Sequence, residues 1–593
     1  MNKINKSIRT GLVAVASLLA CYSCSDTWDD HYKASSENAN LVDATIYQYM
    51  KTQPELSDFI EVVDAAGYKA MLDETQIVTV FAPVNGTFDK QALIDGINSG
   101  SKEIVLTRFI KNHIARYNYS SNEDEQNVEL LNKKVTTLSN GYVSQDSIQT
   151  RKANIQCKNG ILHIMKSQIP FHANIYELME TTADMDSIYQ LFVRYDEDSL
   201  DINRSVYRGV DEDGNRIYVD SVLIHTNDLM TRLRGYIHRE DSDYTIIVPN
   251  NEALSARLEE TRKYFVYNIH EEDRDSLQNF YANYYTLNPL MFNNNSNMHQ
   301  EDSLVTTTYS KWDPKYNVFY RPFERGGILE PGTYNDRIEC SNGVVYTTSQ
   351  YPSSIYDSFF REIELECEHS GNVNNEQDKD GNTLFTRTCS YSSVVINDNT
   401  VSNRSYLDVQ PSNSSAQPSI GFNIPNTLAG TYDAYIVTVP LKMGRNVQDA
   451  DTLKPYQFRV TLFTRTNRAT DVNATWPNSG VKLKNPNDPK NSNNFVSNPE
   501  QVDTIFLGEL TFTECYYSVP QVGVMLQVQS YVSSSQTKTY SRRMLFDRIY
   551  LKPHGMPERG KEARNAELTD PEESAEEPDE SAEEPKESTE EQE

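Results

Sequence analysis

Apolar positions along the first 350 residues change period several times, and the whole order of changes occurs twice. Ile46, Tyr49 and Met50 fall on one helical face, which Phe59 and Ile60 extend. Val78-Thr79-Val80-Phe81-Ala82-Pro83 is a β-branched strand stopped by proline and by an Asn85-Gly86 turn. Phe109-Ile110-Lys111-Asn112-His113 lies on a helix, and Asn159-Gly160 turns the chain into a buried strand, Ile161-Leu162-His163-Ile164. The second round opens with Asn174-Ile175-Tyr176-Glu177-Leu178, and its strand, proline and turn are Tyr244-Thr245-Ile246-Ile247-Val248-Pro249-Asn250-Asn251. It closes with Asn342-Gly343-Val344-Val345-Tyr346. Matching Phe280-Tyr281-Ala282-Asn283-Tyr284 to Phe109–His113 puts Tyr284 at the place of His113, and Tyr346 falls at that of His163. Both copies end ahead of residue 360, where helical periodicity stops. Tyr456 to Leu462, Val522 to Val528 and Gly430 to Pro440 read as strands, and Phe546 to Pro553 as a last one, with Asn, Ser, Pro and Gly between them. That pattern predicts a β-sandwich.

The four elements of the first copy resemble the fasciclin domain, whose signature holds a T-V-F-A-P-T-N-x-A-F segment, a central histidine and a final N-G-x-I-H-V-I strand ahead of proline. Thr79, Phe81, Pro83, Asn85, His113, Asn159, Gly160 and His163 carry the likeness, and Val84 and Thr87 depart from it. Pro249, Asn250, Tyr284, Asn342, Gly343 and Tyr346 are the corresponding positions of the divergent second copy. Because both histidines change together, they read as a packed pair of core hydrogen bonders, in contact with each other. The third region resembles the galactose-binding-like jelly rolls of carbohydrate-binding modules, through Gly430 to Val437 and Asp547 to Leu551. The fold class expected is therefore multidomain, α+β and β: two fasciclin-like domains, each a mixed sheet with helices, and then a β-sandwich. The divisions are a signal at 1–23, a tether at 24–40, fasciclin-like domains at 41–172 and 173–352, the sandwich at 355–555 and an acidic tail at 556–593.

Composition sharpens this picture at the two ends. Of 593 residues, 55 are basic and 85 acidic, a formal charge of −30. Residues 567–593 hold fourteen acids against Lys586 and no aromatic residue, a solvated tail of net charge −13. Such a balance excludes nucleic acid as a partner, since nothing neutralises phosphates. Lys3, Lys6 and Arg9 precede a short apolar run that ends at Cys21 and Cys24, a secretory signal. Leu18-Leu19-Ala20-Cys21 resembles the general lipobox, and Ser23-Cys24 followed by Ser25-Asp26-Thr27-Trp28-Asp29-Asp30 resembles the looser lipobox of Bacteroidetes. The resemblance implies acylation at Cys24, with Cys21 as the alternative, and an outer-membrane lipoprotein facing the cell exterior.

Candidate chemistry is sparse. Cys157, Cys340, Cys367, Cys389 and Cys515 are an odd, dispersed set without disulfide or zinc spacing. No G-x-S-x-G, H-E-x-x-H, Walker or dinucleotide motif occurs. Asp211-Glu212-Asp213-Gly214-Asn215 and Asp378-Lys379-Asp380-Gly381-Asn382 lack the acid spacing of a calcium loop and read as glycine turns. No catalytic residue, metal or cofactor is expected, and the chain reads as a non-enzyme. Aromatics on loops of a sandwich stack on sugar rings, which makes Trp476, Tyr516, Tyr517 and Tyr531 the glycan-binding candidates. Two functions compete: adhesion to proteins or glycans through the fasciclin-like copies, and polysaccharide capture through the sandwich beside an outer-membrane transporter.

Overall fold

The computed structural model describes residues 40–74, 76–143, 147–200, 206–210, 216–220, 223–268, 271–294, 304–308, 319–320, 332–448, 451–465, 476–518 and 523–557. Cys21, Cys24, the loop 211–215 and the acidic tail lie outside the described residues. Among the described residues no helix is long and apolar enough to cross a membrane.

The first copy is built on Val78–Pro83, whose six residues are all buried. It runs parallel to Gly160–Met165 and antiparallel to Ile114–Arg116, and Ile148–Cys157 adds antiparallel to the other side of Gly160–Met165. Tyr142–Val143, Val135–Ser139 and Gln126–Glu129 continue the same sheet. A strand buried on both faces needs cover on both, which is why Val78 to Phe81 has no polar alternation. Ser57–Ala66 supplies part of it by burying Phe59, Val62 and Val63, and ends at Gly67 in a left-handed conformation (φ 83°). Helix Ile46–Lys51 starts at a capping box of Thr45 with Gln48.

The second copy repeats the central four strands in the same order and directions. Tyr244–Pro249 is parallel to Gly343–Thr348 and antiparallel to Met291–Asn293, and Arg337–Cys340 flanks Gly343–Thr348. Its first helix, Ile175–Thr181, also begins at a capping box, Asn174 with Glu177. Antiparallel pairs Asp196–Leu200 with Leu223–Asn227, and Val206–Val210 with Arg216–Asp220, are the inserted segments. Register corrects one sequence match. Val80 faces Ile114 and the equivalent Ile246 faces Met291, so the residue before each edge strand is His113 in one copy and Leu290 in the other. Leu290, fully buried, and not Tyr284, takes the place of His113. Helix Glu271–Leu287 and the turn Asn288–Leu290 set this offset, and the aromatic match had disguised it.

The two copies belong to one compact unit, residues 1–257 with 286–352, except that residues 258–285, expected within the second copy at 173–352, belong to the other unit. Lys134, at the hairpin between Gln126–Glu129 and Val135–Ser139, joins them. Its buried ammonium lies 2.8 Å from Glu177 and 2.6 Å from Glu240, and it donates to Ser341 Oγ at 3.1 Å.

The second unit comprises residues 258–285 with 353–593. Its core is a two-sheet antiparallel β-sandwich. One sheet has the order Cys389–Val395, Ser405–Pro411, Met544–Pro553, Gly430–Thr438, Asp503–Phe512, with Ile363–Glu366 also on Met544–Pro553. The other runs Ser419–Ile424, Gly523–Ser530, Gln457–Arg465, Val481–Lys482, with Phe495–Val496 also on Gln457–Arg465. Ile420, Phe422, Phe458, Val460, Leu526 and Val528 of the second sheet share one core with Leu407, Ile436, Phe546 and Ile549 of the first. Phe265 and Tyr281, which precede the sandwich strands in sequence, are buried in that same core. Tyr285 stacks on Phe265 at 5.1 Å and donates to Tyr517 at 2.8 Å.

Candidate functional site

The signature residues of the two copies are tied into the backbone. His113 Nδ1–H donates to Phe109 O at 2.7 Å, and its Nε2 accepts from Ile169 N at 2.9 Å. His163 donates from Nε2 to Tyr119 O at 2.9 Å and stacks on Phe81 at 5.3 Å. Burial pushes both imidazoles down to about 4, against a smaller upward pull from the carbonyl each bonds. Both are neutral at pH 7. The expected contact between them is absent: His113 sits among Phe59 and Phe109, His163 on Phe81, and no hydrogen bond or ring contact joins the two. Tyr346 does occupy the position of His163, half-buried, accepting from Arg337 Nε at 3.1 Å and edge-on to Tyr334. Tyr284 lies on its helix against Tyr285.

The asparagines do equivalent work in the two copies. Asn159 accepts from Ile46 N at 2.8 Å and donates to Leu72 O at 2.9 Å, and Asn342 accepts from Ile175 N at 2.9 Å and donates to Ile237 O at 2.7 Å. Each ties the first helix of its copy to the last strand. Gly160 (φ 142°) and Gly343 (φ 140°) follow, and a Cβ there would fall 1.8 Å from Val78 O and 1.9 Å from Tyr244 O. Asn85, after Pro83, accepts from Asp58 N and donates to Pro54 O, each at 2.9 Å. Its counterpart is Asn251, which accepts from Ser187 N at 3.1 Å and donates to Ala183 O at 3.3 Å. Asn250 instead accepts from Ala253 N in the helix that follows. Sequence matching picked the first of two adjacent asparagines; counting from Pro83 and Pro249 identifies the second. Thr79 Oγ1 donates to Tyr117 O and accepts from Tyr119 N.

The four glycan candidates are not brought together. Tyr517 packs between Phe265, Tyr281 and Tyr285 in the core of its unit. Tyr516 is half-buried, edge-on to Phe512, and donates to Glu514 at 2.8 Å. Trp476 and Tyr531 do share the outer face of the sheet containing Gln457–Arg465. Trp476 lies edge-on to Phe385, donates from Nε1 to Glu376 at 2.6 Å, and is covered by Arg465, itself 2.7 Å from Glu376. Tyr531 is 45% exposed, with the Arg459 guanidinium 3.3 Å from its ring centre. Arg459 and Arg465 are six residues apart on one strand, which separates the two aromatic sites by about 20 Å.

A carboxylate cluster on the other sheet escaped sequence reasoning, because Glu364, Glu366 and Glu368 look like the solvent face of a strand. Glu366 Oε1 accepts from Ser402 Oγ and Glu368 Oε1 from Ser405 Oγ, each at 2.6 Å, and Asp547 Oδ1 accepts from Ser402 N at 3.1 Å. Glu366 Oε2 and Glu368 Oε2 are buried with no partner. Burial, with repulsion from Glu368 and Asp547, pushes Glu366 up to about 7, and burial pushes Asp547 up to about 6. Asp433, Glu509 and His554 also converge, within 4.8 Å, but Glu509 and His554 are exposed. Asp378 closes its own turn by accepting from the backbone of Asp380 and Asn382 at 2.9 Å, as a glycine turn should. The five cysteines are free thiols; Cys157, Cys367 and Cys515 are buried, and burial raises all three.

Comparison with solved structures gives several likenesses. A FAS1 domain pair from the insect cell adhesion molecule fasciclin I is 13% identical, with 51% of this chain and 98% of that one covered, at a TM-score of 0.19. A family 35 carbohydrate-binding module from Clostridium thermocellum is 9% identical over 28% of this chain and 95% of that one, at 0.14. A Paenibacillus xanthan lyase is 11% identical over 45% of this chain and 21% of that one, at 0.20. No curated protein matches the chain. Among protein families, residues 54–169 match the fasciclin domain.

Proposed function

We propose that this chain is a non-enzymatic surface lipoprotein that adheres to proteins or glycans through its paired fasciclin-like copies. The observation that carries the reading is how the signature side chains are used. His113, His163, Asn85, Asn159 and Asn342 are all consumed by backbone hydrogen bonds, and both histidines are held neutral and away from solvent. That chemistry builds a scaffold and leaves recognition to the surface. Lys134 supports it further by holding the two copies as one body. The chain is anchored in the outer membrane at Cys24, faces the exterior, and extends its acidic tail as a solubilising streamer. Metabolic labelling with palmitate and protease shaving of intact cells test the anchor and the orientation. Cys24→Ala is expected to abolish labelling, and Cys21→Ala to leave it intact; the reverse result moves the anchor to Cys21. Adhesion is tested by coating beads with the full chain and measuring their retention on matrix proteins and glycans. Failure to adhere to any of them defeats the reading.

A second reading, polysaccharide capture through the sandwich beside an outer-membrane transporter, is favoured by one observation. Tyr531 and Arg459 form an open aromatic and cationic pair on the outer face of a sheet. Retardation of the full chain in gels containing polysaccharide tests it.

A further inference from the structure

The two outer faces of the sandwich differ in charge. On the sheet containing Gln457–Arg465, the residues opposite to the core are Ser419, Gly421 and Asn423 on one strand and Gly523, Met525, Gln527 and Gln529 on the next. Gln457, Arg459, Thr461, Phe463 and Arg465 follow, with Lys482 and Val496 at the edge. Three of these residues are cations and none is an acid, in a chain of formal charge −30. The other sheet presents Glu364, Asp433 and Glu509 among its outward residues.

Arg465 is neutralised by Glu376, but Arg459 and Lys482 have no carboxylate partner among the described residues. Arg459 is nevertheless held in place. Its Nε donates to Asn494 Oδ1 at 2.9 Å and its guanidinium plane lies on Tyr531, so the two terminal nitrogens remain free to donate as a fork. Gln529 stands directly across the ladder from Arg459, exposed and with its amide unbonded. Lys482 faces Thr461 on the far side, one diagonal step from Arg459. A fixed guanidinium fork, a second cation and a neutral amide on contiguous outward positions are the donor set for a planar carboxylate bearing neighbouring hydroxyls. Tyr531 adds a wall on which the apolar face of a sugar ring can rest.

We infer that this face binds acidic polysaccharide, with the carboxylate of a hexuronic acid residue held by Arg459 and Lys482. The inference rests on the polysaccharide-capture reading and names the ligand class for it. Bulk electrostatics oppose such binding, because a chain of charge −30 repels a polyanion; retention therefore has to come from the local patch.

The test is affinity electrophoresis of the full chain in gels containing polygalacturonate or, separately, a neutral galactan. Polygalacturonate is expected to retard the chain. Arg459→Gln and Tyr531→Ala are each expected to weaken the apparent affinity about tenfold, the loss of one charge-assisted or stacking contact. Lys482→Gln should weaken it in the same direction, and this side chain has no partner among the described residues whose loss could disturb folding. Lys442→Gln removes the same charge elsewhere in the unit and is expected to change nothing. Retention by galactan alone, or polygalacturonate retention unchanged by Arg459→Gln and Lys482→Gln, overturns the inference and leaves polysaccharide capture standing. Retention by no polysaccharide overturns both.

Discussion

Asn159 and Asn342 each satisfy a buried donor and a buried acceptor that belong to different elements. Replacing Asn159 with alanine leaves both groups unpaired inside the protein, at a cost of about 3 kcal/mol. Denaturant unfolding should give that loss, and Asn342→Ala should match it. The histidines add a pH dependence of known sign. Unfolded imidazoles bind protons near 6.5, whereas His113 and His163 in the fold bind them only near 4. Their contribution to stability is therefore complete above pH 6.5 and is lost as pH falls toward 4, by about 3 kcal/mol for each. Unfolding at pH 4.5 and 7 measures it, and His113→Gln should flatten the acid slope. Most of these residues could be read in the sequence, since an Asn-Gly pair before an apolar strand has few other uses. The roles of Asn251 and Leu290 could not. One is hidden by an identical neighbour, the other by a longer helix that shifts the count, and strand register alone restores both.

At the scale of elements, the repeat, the central strands and the sandwich followed from periodicity, because burial on one or both faces writes period two or a continuous apolar run. Contacts between distant elements leave no such mark. Lys134 sits in an ordinary polar hairpin of the first copy, yet its partners Glu177 and Glu240 lie 43 and 106 residues away. Lys134→Met strands two carboxylates and should cost about 3 kcal/mol. It should also split one cooperative transition of the paired copies into two, which calorimetry can resolve. The carboxylates of the sandwich respond to pH in the opposite sense from the histidines. Glu366 and Asp547 bind protons more tightly in the fold than in the unfolded chain, so stability falls as pH rises from about 4 to 7. Glu366→Gln should flatten this slope, which unfolding at pH 5 and 8 measures.

For the whole molecule, acid should therefore weaken one unit while it strengthens the other, and two melting transitions should shift in opposite directions as pH falls. The division into units carries a different consequence. Residues 258–285 belong with the sandwich, although the chain runs back through residues 286–352 of the first unit before the sandwich begins. Tyr285 waits for Tyr517, 232 residues later, and Phe265 waits for the same ring. In a chain that is made from its N-terminus, an aromatic helix thus emerges long before the surface that covers it. Stop codons placed before residue 517 should yield chains that proteases remove, while one placed after residue 557 should be tolerated. Until the last strands arrive, Phe265, Tyr281 and Tyr285 lack the Tyr517 ring that packs against all three.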